Sequence, residues 1–379
     1  MQWQIPLSDI DFGPEERAAV DSVLESKWLT MGAVTEEFEQ AFAAYVDAKY
    51  AIAVTNATAG LHLACVAAGL GPGDEAIVPS LTFVATANAV RYTGAKAVFA
   101  DINGEDDLNI SYRSIERAIN ERTRAILVMH YGGYACDMSS IMELAREHGL
   151  KVIEDAAHAV GSELGGIKLG VWGDMGCFSF FSNKNMTTGE GGMIVTNDEA
   201  YSQKLHLLRS HGMTTLTWDR HKGHAWSYDV VDLGYNYRID EVRAALGKVQ
   251  LGKLPANNER RRHLTLLYRE TLQAFAPQVT IPFVNHAGVS AAHLMPVLLP
   301  IGANRTAFME GMKSQGIQTS IHYPPIHRFT AYHDGKAKYD LPNTDDIAGR
   351  EVTLPLYPAM TDEDVHTVVK AIAQTLIPA

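Results

Sequence analysis

The chain has 379 residues, 46% of them hydrophobic and 20% charged, a length at which one hydrophobic core usually stops growing, so two domains are expected. That composition excludes a disordered or low-complexity chain. A formal net charge of −12 argues against a nucleic-acid partner, because affinity for a polyanion rests on Lys and Arg contacts to phosphate.

Cys65, Cys136 and Cys177 lie in apolar neighbourhoods without a CxxC spacing and read as small core residues of a reducing compartment. The N-terminal MQWQIPLSDIDFGPEE has no basic segment followed by an apolar block, and no apolar run approaches the ~18 residues that cross a bilayer. A cytoplasmic protein without a membrane partner is expected. The basic cluster from Glu259 to His263 reads as the exposed start of a helix.

From about residue 50 to 200, short β-rich runs alternate with helix-period stretches. The runs are AIAV (51 to 54), EAIVP (75 to 79), KAVFA (96 to 100), RAILVMH (124 to 130) and KVIEDA (151 to 156). Between them, Leu61, Ala64, Cys65 and Ala68 share one helical face, as do Ile141, Leu144, Ala145 and His148. Alternation of this kind implies crossover connections and a largely parallel sheet, an α/β layer structure. After residue 170 two closely spaced runs, GCFSFF and GGMIVT, are joined by a turn that carries Lys184.

A helix around 198 to 210, a polar aromatic loop and a helix-forming segment from Asp240 to Leu254 follow. Pro255 and the polar ANNERRR after it interrupt that helical pattern and mark a boundary. Residues 1 to 254 are expected to form a large domain, and residues 255 to 379 a smaller C-terminal α+β domain. The smaller one would hold a long helix, the strand HLMPVLLP, a helix around 304 to 315 and a closing helix after Thr361.

Ligands of such sheets bind at the C-terminal ends of strands, and three ends draw attention. After AIAV, Thr55-Asn56-Ala57-Thr58 leads into a helix whose first amides and dipole suit a phosphate, or else Asn56 is an ordinary cap. After KVIED, Asp155 is a carboxylate on a buried strand and calls for a cationic partner such as a protonated ring nitrogen, with His158 three residues on. In the third, Ser179 precedes and Lys184 occupies the strand-joining turn, where a desolvated amine is available as a nucleophile toward a carbonyl. Together these parts describe a pyridoxal phosphate site, with Phe83 in PSLTFVAT a candidate for the ring face. No metal is called for.

The motifs SLTFVAT, EDAAHAVGS, FSFFSNKNMTTGEGGMIVT, GYNYRIDEVRAALGKVQL and IHYPPIH together resemble the DegT/StrS family of nucleotide-sugar aminotransferases over essentially the whole chain. The resemblance implies the type I, aspartate aminotransferase-like fold of pyridoxal 5'-phosphate enzymes. It makes Lys184 the Schiff-base lysine and Asp155 the partner of the pyridine nitrogen, and it puts Phe83 on the ring face. Ser179 with Ala57 and Thr58 would hold the phosphate, and His158 stands where relatives commonly carry a glutamine near the ring hydroxyl. Asn236 and Arg238 fall in a segment that reaches the phosphate of a second subunit, which implies a homodimer with shared active sites. His322 and Tyr323 resemble a substrate-facing pair, and the loop from Trp218 to Tyr228 resembles the region near the nucleotide sugar. The implied reaction takes an amino group from L-glutamate, releasing 2-oxoglutarate, and gives it to a keto group of a nucleotide-linked deoxysugar, the 4-position being favoured over the 3-position. A UDP-linked 4-keto pentose, a cyclitol ketone, or a cofactor-binding regulatory role without catalysis are the rival readings.

Overall fold

The computed structural model describes residues 3–215, 227–332 and 339–376. Seven of its strands form one sheet. In chain order the strands are β1 (Tyr50–Val54), β2 (Glu75–Pro79), β3 (Lys96–Ala100), β4 (Ile102–Gly104), β5 (Asp107–Ile110), β6 (Thr123–Met129) and β7 (Lys151–Asp155). They continue as β8 (Glu163–Leu164), β9 (Ile167–Lys168), β10 (Met175–Ser179), β11 (Gly192–Thr196), β12 (Met295–Leu298) and β13 (Glu351–Leu354). The sheet order is β1-β11-β10-β7-β6-β2-β3. Strands β3, β2, β6, β7 and β10 pair in parallel, whereas β11 runs antiparallel to both β10 and β1. A tight return can join only antiparallel neighbours, so the lysine-bearing segment between β10 and β11 connects strands that pair directly.

Both faces of this sheet are covered, which is why its strands read as near-continuous apolar runs. Along β10 the side chains alternate: Cys177 belongs to the core beneath the helix Ala57–Ala67, while Phe178 and, just beyond the strand, Phe180 pack on the other side with Phe38 and Phe42. The ring centroids of Phe42 lie 5.0 Å from Phe178 and 5.5 Å from Phe180. This aromatic group anchors the turn from below.

The helix expected to end at Pro255 instead runs unbroken from Glu241 to Phe275. Proline removes one hydrogen bond and strains the preceding turn, but burial on both sides of the residue carries the helix through. Ala244, Leu251 and Leu254 pack in the core of the sheet domain, and Leu264, Tyr268 and Leu272 pack in a second core with β12, β13 and the helix Asp362–Thr375. The cluster from Glu259 to His263 therefore lies within a helix rather than at its start, and Arg261 is buried, its Nη1 donating to the carbonyl of Leu356 at 2.8 Å. Ile5 joins the second core and bridges to Ile317. We propose that the two domains divide within the long helix, near residue 254, with the first residues of the chain draped over the smaller one.

Glu241 ties the start of this helix to another. Its carboxylate accepts from the amides of Gly32, Val34 and Thr35 at 2.8 to 2.9 Å and from the Thr35 hydroxyl at 2.6 Å, filling the orphan donors of the helix Ala33–Val46.

Candidate active site

Parallel strands β2, β6, β7 and β10 end on one side of the sheet, and β1 points the same way because β11 is reversed against both of its neighbours. A cavity of about 410 Å³ opens at these ends, a size usual for small-molecule sites. Its lining includes Ala57, Thr58, Phe83, Asp155, His158, Ser179, Lys184, His322 and Tyr323. Nine of the eleven residues expected at the site are thus gathered by the fold.

Asp155 ends β7 and is buried. Its Oδ2 accepts from the Thr86 hydroxyl at 2.6 Å and its Oδ1 from the Ala157 amide at 3.2 Å. Burial pushes the carboxyl up from its ordinary range, and the Thr86 and Ala157 donors with the charge of Lys184 pull it back. Across the cavity, burial brings the Lys184 ammonium down to about 8, opposed by the charge of Asp155. Each group would gain from a partner of stated kind: the carboxylate from a cation, the amine from a carbonyl carbon.

At the end of β1, Asn56 caps the helix Ala57–Ala67, its Oδ1 accepting from the Ala59 amide at 2.8 Å. The cap and the anion site coexist, because Ala57 and Thr58 are the first helical residues and their amides have no intrahelical acceptor. Gly192 at the start of β11 makes room for that helix start: a Cβ there would stand 2.6 to 2.8 Å from the backbone of Asn56 and Ala57. Ser179 is buried at the end of β10, its Oγ accepting from the Phe181 amide at 3.3 Å.

Phe83 is not a core residue. It is 55% exposed at the cavity's rim, and its ring centroid lies 5.9 Å from that of Tyr323. His158 Nδ1 accepts from the Gly132 amide at 3.3 Å, which leaves the imidazole proton on Nε2, 2.9 Å from Tyr323 Oη. Burial and the charge of Lys184 hold His158 well below its ordinary range, so it does not titrate near neutral pH. His322 takes the opposite tautomer: the Thr353 hydroxyl donates to Glu351 at 2.6 Å, so Nδ1 of His322 donates to that hydroxyl at 2.8 Å, and burial brings the imidazole down to about 3.

Asn236 and Arg238 do not line this cavity. Asn236 bridges to Ser210 and Arg238 to Val54, the last residue of β1. Of the expected sugar-side loop from Trp218 to Tyr228, residues 218 to 226 lie outside the described residues.

Residues 11–373 match the DegT/DnrJ/EryC1/StrS aminotransferase family. The chain belongs to this family. The spore coat polysaccharide biosynthesis protein SpsC of Bacillus subtilis is 40% identical over 98% of this chain and 96% of its own length. The Helicobacter pylori aminotransferase PseC, involved in the biosynthesis of pseudoaminic acid, has 30% identity and a TM-score of 0.89 over 99% of both chains. DesI, solved in the presence of its TDP-sugar product, has 31% identity and a TM-score of 0.88 over 98% of this chain and 92% of its own. This DegT/StrS chain is accordingly an aminotransferase with the type I fold, and its cofactor is pyridoxal phosphate, the form in which a family neighbour has been solved.

The cavity fits that cofactor on its own chemistry. A buried carboxylate, an amine brought down to about 8 and a helix start with free amides share one space. Among the residues that the DegT/StrS motifs did not single out, Thr86, Ala157 and Asn183 stand at or beside the site. Thr86 closes the motif SLTFVAT, but the carboxylate it meets is 69 positions away, so its partner could not be read from its neighbours. Asn183, beside the lysine, had the signal of adjacency.

Proposed function

We propose that the protein transfers an amino group from L-glutamate to a keto group of a nucleotide-linked deoxysugar, the 4-position favoured, for the amino sugars of a surface polysaccharide, lipopolysaccharide or glycosylated metabolite. The observation that carries this reading is the Lys184 amine, brought down to about 8 in the cavity it shares with the buried Asp155. SpsC, PseC and DesI, whose names concern polysaccharide, pseudoaminic acid and a TDP-sugar, support the choice of acceptor.

When bound, pyridoxal phosphate supplies an aldehyde that takes up the amino group and a ring that accepts the electron pair left by proton removal from the substrate carbon. Lys184 serves as nucleophile and then as base, since an amine brought to about 8 is neutral in an appreciable fraction at working pH. Asp155, its ionised form stabilised by the Thr86 hydroxyl, would hold a proton on the ring nitrogen. The amides of Ala57 and Thr58 with Ser179 would hold the phosphate, and Phe83 would supply an aromatic face for the ring. Because the His158 Nε2 proton is engaged by Tyr323 Oη, the Tyr323 hydroxyl proton is the one free to donate into the cavity, with His158 behind it and His322 beside it.

The working form is a homodimer in the cytoplasm. Asn236 and Arg238 do not line their own chain's cavity, and exposed apolar residues precede them in the chain, Val230, Val231 and Leu233 among them. A partner's cavity on that surface would bury these side chains and bring one of the two polar groups to the phosphate.

The test incubates the holoenzyme with L-glutamate and a panel of dTDP-, UDP- and GDP-linked 3- and 4-keto sugars, reading aminated product by mass and 2-oxoglutarate by a coupled assay. Product from a 4-keto-6-deoxyhexose is expected. Absence of the glutamate half-reaction, or amination of none of the panel, overturns the reading.

A further inference from the structure

His293 stands two residues before β12, in the part of the chain that builds the second core. Its Nε2 lies 3.5 Å from Nζ of Lys184, 109 residues earlier. Behind it, Nδ1 is 2.9 Å from Oδ1 of Asn185. The amide of Asn185 donates through Nδ2 to Asn258 Oδ1 and to the Ala291 carbonyl, both at 2.7 Å, and Asn258 donates in turn to the Val160 carbonyl at 2.9 Å. With both protons of the Asn185 amide spent, its oxygen is an acceptor, so the imidazole proton is on Nδ1. Nε2 is therefore a bare lone pair aimed at the lysine.

We propose that His293 is a positioning residue that accepts a hydrogen bond from the Lys184 ε-amine and thereby turns the amine's lone pair into the cavity. An amine that gives one N–H to His293 has its lone pair on another tetrahedral direction, away from the imidazole. The chain Val160–Asn258–Asn185–His293 makes that acceptor rigid. The geometry matters at the moment when Lys184 is free and must act as a base, because a misaimed lone pair costs rate in proportion to the lost alignment. This inference rests on the reading of Lys184 as nucleophile and base.

The charged and titratable groups around the pair are Asp155 on β7, His158 after it, His322 and Tyr323 in the cavity lining, Glu190 also in that lining, and Arg261 on the long helix, whose Nη1 is 3.5 Å from the His293 carbonyl. Burial, with the charges of Lys184 and Arg261, holds His293 well below its ordinary range. It remains a neutral acceptor while Lys184 titrates.

The test uses the cofactor-free full chain, exposed to pyridoxal 5'-phosphate from pH 6 to 10, reduced with borohydride, and read by the mass of the Lys184 peptide. In the wild type, labelling of Lys184 should rise with a midpoint near 8. His293→Leu takes an acceptor from the ammonium, so the midpoint should fall by about one pH unit, and the plateau rate should drop about tenfold through lost orientation. His293→Gln, long enough to bring an oxygen to the place of Nε2, should restore the midpoint. His293→Asn keeps the contact with Asn185 but falls short of Lys184, and should behave as His293→Leu. A purely structural histidine would lower labelling without moving the midpoint. An unmoved midpoint in both His293→Leu and His293→Asn overturns the inference while leaving Lys184 in its role. If wild-type label lands on another lysine, the role of Lys184 falls and the inference falls with it.

Discussion

The Thr86 hydroxyl donates to Oδ2 of Asp155 at 2.6 Å, and Thr82 Oγ1 stands 2.9 Å behind it. A hydroxyl has one proton to give; Thr86 spends its own on the carboxylate, so Thr82 supplies the donor between the two threonines. The pair thus stabilises the ionised form of Asp155 against a burial that favours the neutral one.

Thr86→Val removes that donor without removing bulk. The Asp155 carboxyl should move further up and hold a protonated ring nitrogen less well. A hydrogen bond to a charged group is worth about 1.5 to 3 kcal/mol, so pyridoxal phosphate should bind about ten- to a hundredfold more weakly. Equilibrium dialysis of the two proteins checks this, and equal affinities would refute it.

Lys184 links the site to pH. Its ammonium is brought from 10.5 to about 8 in the folded protein, so between those values the unfolded chain binds more protons than the folded one and stability rises with pH. Below about 8 both states are protonated and the whole cost of the buried charge is present. Cofactor-free Lys184→Met should therefore melt above the wild type at pH 7. The gap should shrink at pH 9.5, a comparison that calorimetry reads directly. A gap independent of pH would mean that the amine is not desolvated.

Phe83 separates binding from folding. Its ring is more than half exposed, so Phe83→Ala should change the unfolding midpoint little, within about 1 kcal/mol in the manner of surface substitutions. Cofactor affinity should fall by about tenfold or more, as the ring face loses its aromatic cover. A large loss of stability with unchanged affinity would place Phe83 in the core instead.

Much of this site is written locally. Asp155 could be picked out because a carboxylate closes an apolar run, and Lys184 because a cation sits between two apolar runs short enough to pair. Both are properties of some twenty neighbouring residues. Pro255 shows where local reading fails: proline is unfavourable in a helix, yet the two cores on either side bury Leu251, Leu254 and Leu264 and carry the helix past it. Arg261 looked like a solvated charge for the same reason, since nothing nearby in the chain announces the Leu356 carbonyl that it meets.

The sequence by itself therefore determined the alternation of strands and helices, the strand ends that open on the cavity and the two groups, Lys184 and Asp155, on which the proposed chemistry rests. Tertiary structure alone decided how those groups are tuned. Thr86 reaches Asp155 across 69 residues, His293 reaches Lys184 across 109 and Tyr323 reaches His158 across 165. A hydrogen bond acts over about 3 Å, so its partners are chosen by how strands, helices and the second core pack, and no pattern along the chain encodes that choice.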